Sequence, residues 1–456
     1  MPEATLAAPS TVVTPAVDLT VLIPTWNEAD NVRALLPRLK TVLAELGRSY
    51  EILVVDKGSD DGTAAAAAGL GARVVRQTEP GLGGALRMGF AAARGRFICT
   101  MDADLQHDPH HLVEMWPLRE HGDVVIASRW MRGGRADMPV SRRILSRVLN
   151  LVYGLVLRIP ASDLSTNYKL YRRAALDSIQ FEGENYDVQE DLLVRLINAG
   201  WQLAEVPQYH HRRLGGESHV RLWRFAVAYA RTLLRLWRVR NAPEAADGEW
   251  RAFHSLNPVR WLLERRRVAL LRTPPPPLPD GEGTILRSLY INCGSDPLLS
   301  RLPYAVGVDG RLNRLRWARR EGRPLVRASL AALPFPDSAF ELVVWSESRD
   351  HLADADHPLD ELVRVLAPAG RMNLRVVHMG RRALVEALQA HGLVVESGRW
   401  LVGTQWVVSA RKPEAGSQTA RGFVPARASS GPRNNRHRSR GPSPEGTRRR
   451  DDASAR

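Results

Sequence analysis

Asp102 and Asp104 are the residues best suited to chemistry, two carboxylates one residue apart where the apolar run 97–101 stops. Alternation along a strand puts positions 102 and 104 on the same side, and strand ends are where open α/β sheets bind ligands. Two hard oxygen ligands from one turn leave coordination positions for phosphate oxygens and water, which suits Mg²⁺ or Mn²⁺ bridging a pyrophosphate. Gln106 adds a third candidate oxygen. Asp-x-Asp also occurs in surface turns, where the carboxylates cap backbone N–H groups. The assignment therefore depends on the elements that present the pair.

Those elements alternate. Residues 19–24 read as a short apolar strand ending in PTWNE, and 30–47 carry Val32, Leu35, Leu36, Leu39, Val42, Leu43 and Leu46 at helical spacing. Residues 50–55 repeat the strand pattern and end in VVDKGSDDGT, with an Ala-rich helix behind. A third strand at 72–76 leads through the glycine turn of EPGLGGALRMGF into a helix, and the strand with the two aspartates follows. This β-α repetition predicts an α/β domain built on a largely parallel sheet.

The blocks PTWNE, VVDKGSDDGT, GLGGALRMGF and MDADLQ, in that order, resemble the nucleotide-sugar half of family 2 glycosyltransferases of the GT-A fold. The resemblance implies that Pro24, Thr25, Glu28 and Asp56 contact the nucleoside, that Asp102 and Asp104 hold the metal on the diphosphate, and that Asp104 is catalytic. Members usually carry two adjacent aspartates in the second block; here the second is Lys57, which bears on base preference.

Further on, DVVIASRW, SRRILSRVLNLVYGLVL, ASDLSTNYKLYRR, YDVQEDLLVRLINAGWQLAEVP and YHHRRLGGESH together resemble polyprenyl-phosphate sugar synthases of the dolichyl-phosphate mannose synthase type, up to about residue 220. By that resemblance Arg129, Arg142 and Ser146, with Arg143 beside them, hold the lipid phosphate, and Lys169 joins them in place of the family's arginine. A lysine keeps the charge but lacks the planar fork. Arg129 also counts among the catalytic candidates, as do Glu190 and Asp191, of which the pattern does not choose one. Arg213, Gly216, Ser218 and His219 match a loop that in such enzymes folds over bound nucleotide, and Arg213 is placed with the nucleotide.

Residues 221–240 contain no acid. Arg221, Arg224, Arg231, Arg235 and Arg238 share one helical face, and Leu222, Phe225, Ala226, Tyr229, Leu233 and Leu236 the other. Two readings fit equally: an interfacial membrane helix, or a helix packed on the catalytic domain with a basic outer face.

After the proline-rich TPPPPLPDGEG, the blocks LYINCGSD, AVGVDGR, RASLAALPFPDSAFELVVWSE and LDELVRVLAPAGRM resemble class I S-adenosylmethionine-dependent methyltransferases. Gly294 and Asp309 are what the resemblance retains of the cofactor site. The usual acid and two of the glycines are replaced around Tyr290, Asn292, Cys293, Gly294, Ser295 and Asp296, which opposes cofactor binding. The expected division is a leader at 1–18, a GT-A domain at 19–220, a basic helix at 221–245, a linker at 246–284, a methyltransferase-like Rossmann domain at 285–412 and a basic tail at 413–456.

The chain has 456 residues, 44% hydrophobic and 25% charged, as globular proteins do, with a net charge of +15. From 411 onward twelve basic and four acidic residues put +8 into the tail, so the folded part is only moderately basic. Two distant cysteines exclude a disulfide framework. The expected activity is inverting transfer of mannose or another hexose from a nucleotide diphosphate sugar (GDP-mannose or a UDP-sugar) to polyprenyl phosphate. The expected place is the cytoplasmic face of a membrane, and nucleic acid is not an expected partner. The alternatives are a soluble hydroxyl acceptor, which needs Glu190 or Asp191 as general base, an active C-terminal methyltransferase, or a scaffold role.

Overall fold

The structure, a computed structural model, describes residues 16–185, 187–211, 222–242, 244–254, 257–272, 287–346, 356–377, 381–402 and 405–414. The chain opens with β1 (Val17–Thr25), α1 (Ala29–Leu46), β2 (Tyr50–Asp56), α2 (Thr63–Gly69), β3 (Arg73–Arg76), α3 (Gly81–Ala92) and β4 (Gly95–Thr100). There follow α4 (His111–Leu118), β5 (Val124–Ser128), β6 (Arg135–Ala136), α5 (Val140–Leu157), β7 (Lys169–Arg172), α6 (Arg173–Leu176), α7 (Val188–Asn198), β8 (Leu203–Pro207), β9 (Tyr209–His210) and α8 (Leu222–Arg240).

The strands of this half form a seven-stranded sheet in the order β3-β2-β1-β4-β7-β5-β8, with β7 antiparallel to both of its neighbours. Both faces are covered, which is why the strands read as unbroken apolar runs. Leu22, Leu53, Val55 and Ile98 pack with residues of α3, α5 and α7 on one face; Val21, Ile23, Ile52, Val54 and Cys99 pack with α1 and α4 on the other. Six of the seven apolar positions predicted along α1 are buried, and Leu46 is partly so.

Helix α5 touches this core through one narrow stripe. Asn150, Tyr153 and Leu157 are its buried residues, whereas Val140, Ile144, Val148, Leu151 and Leu155 are exposed, Leu155 by 68%. Helix α8 behaves the other way: Tyr229, Leu233 and the fully buried Leu236 pack into the catalytic core. Its Arg235 is half-buried and pairs with Asp187 at 2.9 Å. Among its described side chains the packed-helix reading holds.

Residues 246–284 are not simply a spacer, since α9 (Gly248–Phe253) and α10 (Pro258–Leu271) lie within them. The second half continues with β10 (Ser288–Ile291), β11 (Ala305–Val308), α11 (Leu312–Ala318), β12 (Leu325–Val326), β13 (Phe340–Ser346), α12 (Asp356–Val365), β14 (Leu366–Val377), α13 (Arg381–Ala390), β15 (Val394–Val402) and β16 (Gln405–Arg411). Its sheet runs β12-β11-β10-β13-β14-β16-β15, parallel except for β16. This is the second Rossmann-like layer that the resemblance implies. Val268 and Leu271 of α10 cover one face of this sheet against Tyr290, Leu342 and Val344. The expected leader, proline-rich stretch and tail, and Arg213, Gly216, Ser218 and His219, lie outside the described residues, except for Ala16 to Asp18 at the end of the leader and 413–414 at the start of the tail.

Arg267 of α10 shows how tightly that helix is tied to the second domain. It meets Asp296 at 2.6 Å with both side chains 2% exposed, and Tyr290 donates its hydroxyl to the same carboxylate. Burial works against the Asp296 anion, but Arg267 beside it holds the carboxyl below its usual range. Arg267→Ala strands that carboxylate in the interior and should lower the stability of the second domain by roughly 3–5 kcal/mol. Urea unfolding followed by tryptophan fluorescence is the check.

Candidate active site

Parallel pairing of β1 with both β2 and β4 brings the C-terminal ends of three strands to one edge of the sheet, so the segments after Thr25, Asp56 and Thr100 are neighbours. The turn after β4 carries the paired aspartates, with Leu105 in the left-handed region at φ 62°. Asn167 Nδ2 donates to Asp102 Oδ1 at 2.9 Å, Gln189 Nε2 donates to Asn167 Oδ1 at 2.7 Å, and Lys169 Nζ donates to Gln189 Oε1 at 2.7 Å. In its protonated form Lys169 only donates, so each amide in the chain then has one orientation, with the Asn167 NH₂ turned toward Asp102. Burial raises the Asp102 carboxyl above its usual range, and the Asn167 hydrogen bond opposes that rise.

His107 closes the turn from below. The Asp102 amide donates to its Nδ1 at 3.2 Å, so the neutral ring carries its proton on Nε2, 3.8 Å from Asp102 Oδ2. Burial depresses the His107 pKa to about 3, and the ring stacks on Tyr168 at 5.1 Å. Asp104 Oδ1 accepts from the Gln106 amide at 3.2 Å, and Gln106 Nε2 donates to the His211 carbonyl at 3.1 Å. Asp102 and Asp104, with a third oxygen from Gln106, would leave half of a six-coordinate shell to phosphate oxygens and water. Mg²⁺ and Mn²⁺ favour such a shell. Among the described residues no group of three or more His, Cys, Asp or Glu stands together as a self-sufficient metal cage.

On the nucleotide side, Asp56 is only 4% exposed and fully engaged. It accepts from Thr25 Oγ1 at 3.1 Å, Gly58 N at 3.0 Å, Ser59 N at 2.9 Å and Ser59 Oγ at 2.5 Å. Asp56 therefore shapes the loop after β2, joined to Thr25, at the edge where the resemblance implies the nucleoside contact. Glu28 and Pro24 lie at the same edge, with the Glu28 amide bonded to Thr63 Oγ1 at 2.9 Å. Lys57 sits 4.0 Å over the ring of Trp26, which is 60% exposed, so the substitution leaves a cation–aromatic pair at the mouth of this loop.

The residues expected to hold the acceptor phosphate differ in what they have left to offer. Arg129 forks onto Asp163, with Nε at 2.7 Å and Nη2 at 2.8 Å, and Nη2 also reaches Ser165 Oγ at 2.9 Å. Asp163 is wholly buried; burial works against its charge, and Arg129 holds its carboxyl below the usual range. Ser165 Oγ accepts from Asn150 Nδ2 at 3.3 Å, and Asn150 Nδ2 also bonds the Ser146 carbonyl at 2.8 Å. Arg129 and Ser146 are thus joined through two residues that sequence reasoning missed. Asn150 sat among apolar neighbours on a helix, with only its polarity as a signal. Arg142 is exposed one turn before Ser146, and Arg143 caps the Met138 carbonyl at 3.3 Å.

Lys169 does not belong to this group. It is completely buried, its three N–H donors go to the carbonyls of Leu164 and Thr166 and to Gln189, and burial pulls its pKa down to about 7. Loss of the planar fork matters less than direction: the ammonium turns inward to brace Asn167 and Asp102.

The acid pair on α7 is resolved by its partners. Asp191, wholly buried, accepts from Glu182 N at 2.8 Å, Gly183 N at 3.0 Å and Arg195 Nε at 2.8 Å, which pins the loop before the helix. That loop lies on α3 so closely that a Cβ on Gly83 would fall 1.8 Å from the Gly183 carbonyl oxygen, so the position requires glycine. Glu190 is equally buried, but its Oε2 has no hydrogen-bond partner among the described residues, and burial pushes its pKa up to about 7. A carboxyl raised on folding holds an extra proton between its unfolded pKa and about 7, so stability falls as pH rises through that window. Glu190→Gln should remove this slope and stabilise the protein by on the order of 2 kcal/mol at pH 8, with little change at pH 4. Thermal unfolding at both pH values is the measurement.

The glycosyl transferase family 2 profile matches residues 20–180, and the methyltransferase domain profile matches 289–374. A polyprenol monophosphomannose synthase from Mycolicibacterium smegmatis is 32% identical over 248 residues, 50% of this chain and 89% of that protein. An undecaprenyl-phosphate mannosyltransferase from Micrococcus luteus is 33% identical over 210 residues, 43% of this chain and 85% of the relative. Among solved structures, glucosyl-3-phosphoglycerate synthase from Mycobacterium tuberculosis superimposes with a TM-score of 0.39 at 19% identity, covering 49% of this chain and 80% of its own. With a methyltransferase-type domain fused behind its catalytic half, the chain belongs to glycosyl transferase family 2.

Proposed function

We propose that the chain transfers a sugar, mannose or another hexose, from a nucleotide diphosphate sugar to polyprenyl phosphate with inversion, at a membrane surface. The observation that carries this reading is the exposed face of α5. An acceptor with an anionic head and a long hydrocarbon tail needs cations and apolar surface side by side. α5 supplies Arg142 and Ser146 at its start and then Val148, Leu151, Val152, Leu155 and Val156 along the same exposed helix. A soluble sugar acceptor has no use for such a face. The two relatives, named as polyprenol-phosphate and undecaprenyl-phosphate mannosyl enzymes, support the same acceptor class.

A divalent cation bound at Asp102 and Asp104 would neutralise charge developing on the leaving diphosphate. The rest of the reaction falls to the protein. Arg129, oriented by Asp163, and Arg142 hold the acceptor phosphate; one of its oxygens forms the bond to the anomeric carbon as the bond to the diphosphate breaks and its electron pair leaves with the diphosphate. The nucleophile is already anionic, so no strong base is required, and orientation supplies much of the acceleration. Glu190, the acid with an uncommitted oxygen, lies on the side of Arg129 and Lys169, where it serves better to fix sugar or acceptor than to remove a proton.

No described helix is long and apolar enough to cross a membrane, so attachment through α5 would be interfacial. A helix lying in the headgroup boundary gains from each buried apolar side chain, about 1.5–3 kcal/mol for a leucine. The double variant Leu151→Asp, Leu155→Asp should therefore co-sediment with anionic vesicles at least about tenfold less well, while its melting temperature stays unchanged because both side chains are solvent-facing. Unaltered sedimentation would remove the membrane from this reading. Separately, Asp104→Asn or excess chelator should abolish transfer of labelled sugar into extracted lipid; full activity in chelator would rule out the metal-assisted step.

A further inference from the structure

A Rossmann-type cofactor site needs open space above the glycine turn that follows its first strand, and an acid at the end of the second strand with its carboxylate turned to the ligand's ribose. Neither is found among the described residues of the second domain. A Cβ built on Gly294 would lie 3.2 Å from Arg314 Nη1 and 3.2 Å from Glu249 Oε2, so two side chains already occupy the space above the turn. Asp309 is 1% exposed and already engaged, accepting from Gly294 N in the turn after β10 at 3.1 Å and from Arg311 N in its own turn at 2.9 Å. Asp296, where another glycine would be expected, is consumed by Arg267 and Tyr290. It therefore brings no free negative charge to the turn. S-adenosylmethionine does not fit these residues.

What fills the turn comes from α9. Ser295 Oγ donates to Glu249 Oε2 at 2.8 Å and accepts from the amides of Glu249 and Trp250 at 3.1 and 3.2 Å, while Arg314 closes an ion pair on the other Glu249 oxygen. The segment that enters this turn is anchored at its other end to the catalytic domain. Asp247 holds the buried Arg240 at the end of α8, Arg240 Nη1 donates to Asn198 at 2.9 Å, and the Ala246 amide donates to the Asn198 carbonyl at 2.9 Å. The same side of the second domain presses on the end of α7 directly. A Cβ on Gly200 would fall 2.1 Å from the Asn313 carbonyl oxygen, Arg316 stacks 4.1 Å over Trp201, and Arg319 pairs with Asp123 at 3.1 Å below β5.

We infer that the cofactor-type turn of the second domain is a socket for α9 of this same chain, and that the domain serves as a buttress holding the C-terminal end of α7 and the start of β5. The bonds that remove Asp309 and Asp296 from use lie within the second domain and α10, so withdrawing α9 does not restore a cofactor site. The turn is an interdomain joint, not a lidded catalytic pocket. Its strength does not depend on the sugar acceptor, so it can be tested without assaying transfer.

The experiment takes the full chain, Glu249→Ala, and Arg316→Ala, which removes the stack on Trp201 without touching a buried ion pair. Calorimetric titration with S-adenosylmethionine should give no saturable heat for any of the three. Hydrogen exchange should accelerate by about tenfold or more in α9 and the last turn of α7 for Glu249→Ala, and in the last turn of α7 for Arg316→Ala, with α1 and β2 unchanged. Micromolar binding of S-adenosylmethionine by the wild-type chain, or its appearance in Glu249→Ala, would overturn the inference in favour of a working or lidded methyltransferase. Unchanged exchange at the end of α7 in both variants would overturn the buttress.

Discussion

A buried lysine sets the geometry of the catalytic half. Lys169 stands on β7, the one antiparallel strand of its sheet, paired with Thr100 at the end of β4. An ammonium fully withdrawn from water demands three acceptors, and the chain provides two carbonyls and Gln189. Because it cannot accept, it dictates which way Gln189 turns, and through Gln189 which way Asn167 turns. Asp102 consequently meets a donor two links away from the charge that enforces it. Asp102, whose carboxyl burial pushes above its usual range, is thereby held in place by a neutral donor. A metal-binding carboxylate needs that fixation, since a free rotor would lose affinity to entropy.

This arrangement also explains where the sequence was legible. The strands and helices around the site were readable because both faces of the sheet are buried, and burial writes itself into runs such as 19–24 and into the helical spacing of Val32 to Leu43. The place of Asp102 and Asp104, in the turn after a buried strand, was readable because the apolar run before them stops there. Roles that depend on direction were not readable. Lys169, Asp56, Asp191 and Arg129 each carry a type suited to ligand binding, yet the structure turns Lys169, Asp56 and Asp191 wholly inward and commits most of Arg129's fork to Asp163. Whether a charge faces a ligand or a neighbour is decided by partners far away in sequence: Gln189 for Lys169, Glu182 and Gly183 for Asp191. Conversely Asn150 and Asn167, which carry no charge, organise both ends of the site.

The two amphipathic helices make the same point about surfaces. By sequence α8 was the stronger membrane candidate, with five arginines on one face and no acid. Its apolar face is needed elsewhere, closing the core over α7 through Leu233 and Leu236, and Arg235 is drawn in by Asp187 and Asp191. Helix α5 exposes Val148, Leu151, Val152, Leu155 and Val156, but the sequence did not show which side of it would be left uncovered. The narrow buried stripe of Asn150, Tyr153 and Leu157 reveals that most of the helix packs on none of the described residues.

The second domain extends this reasoning from side chains to a whole fold. A Rossmann-like layer is stable because its sheet is covered on both faces, and that requirement is indifferent to whether the turn after β10 binds anything. With Asp296 where a glycine is expected and Ser295 beside it, the turn contains buried polar groups that must find partners or destabilise the domain. The partners are Arg267 and Glu249, both from helices that precede the domain in sequence. Satisfying the turn therefore draws α9 and α10 onto the second domain, and because α9 follows directly from the Arg240–Asp247 pair, it also draws the second domain onto α8 and α7. Residues that oppose a cofactor are for this reason the same residues that join the two halves. The loss of one property and the gain of the other are a single structural fact.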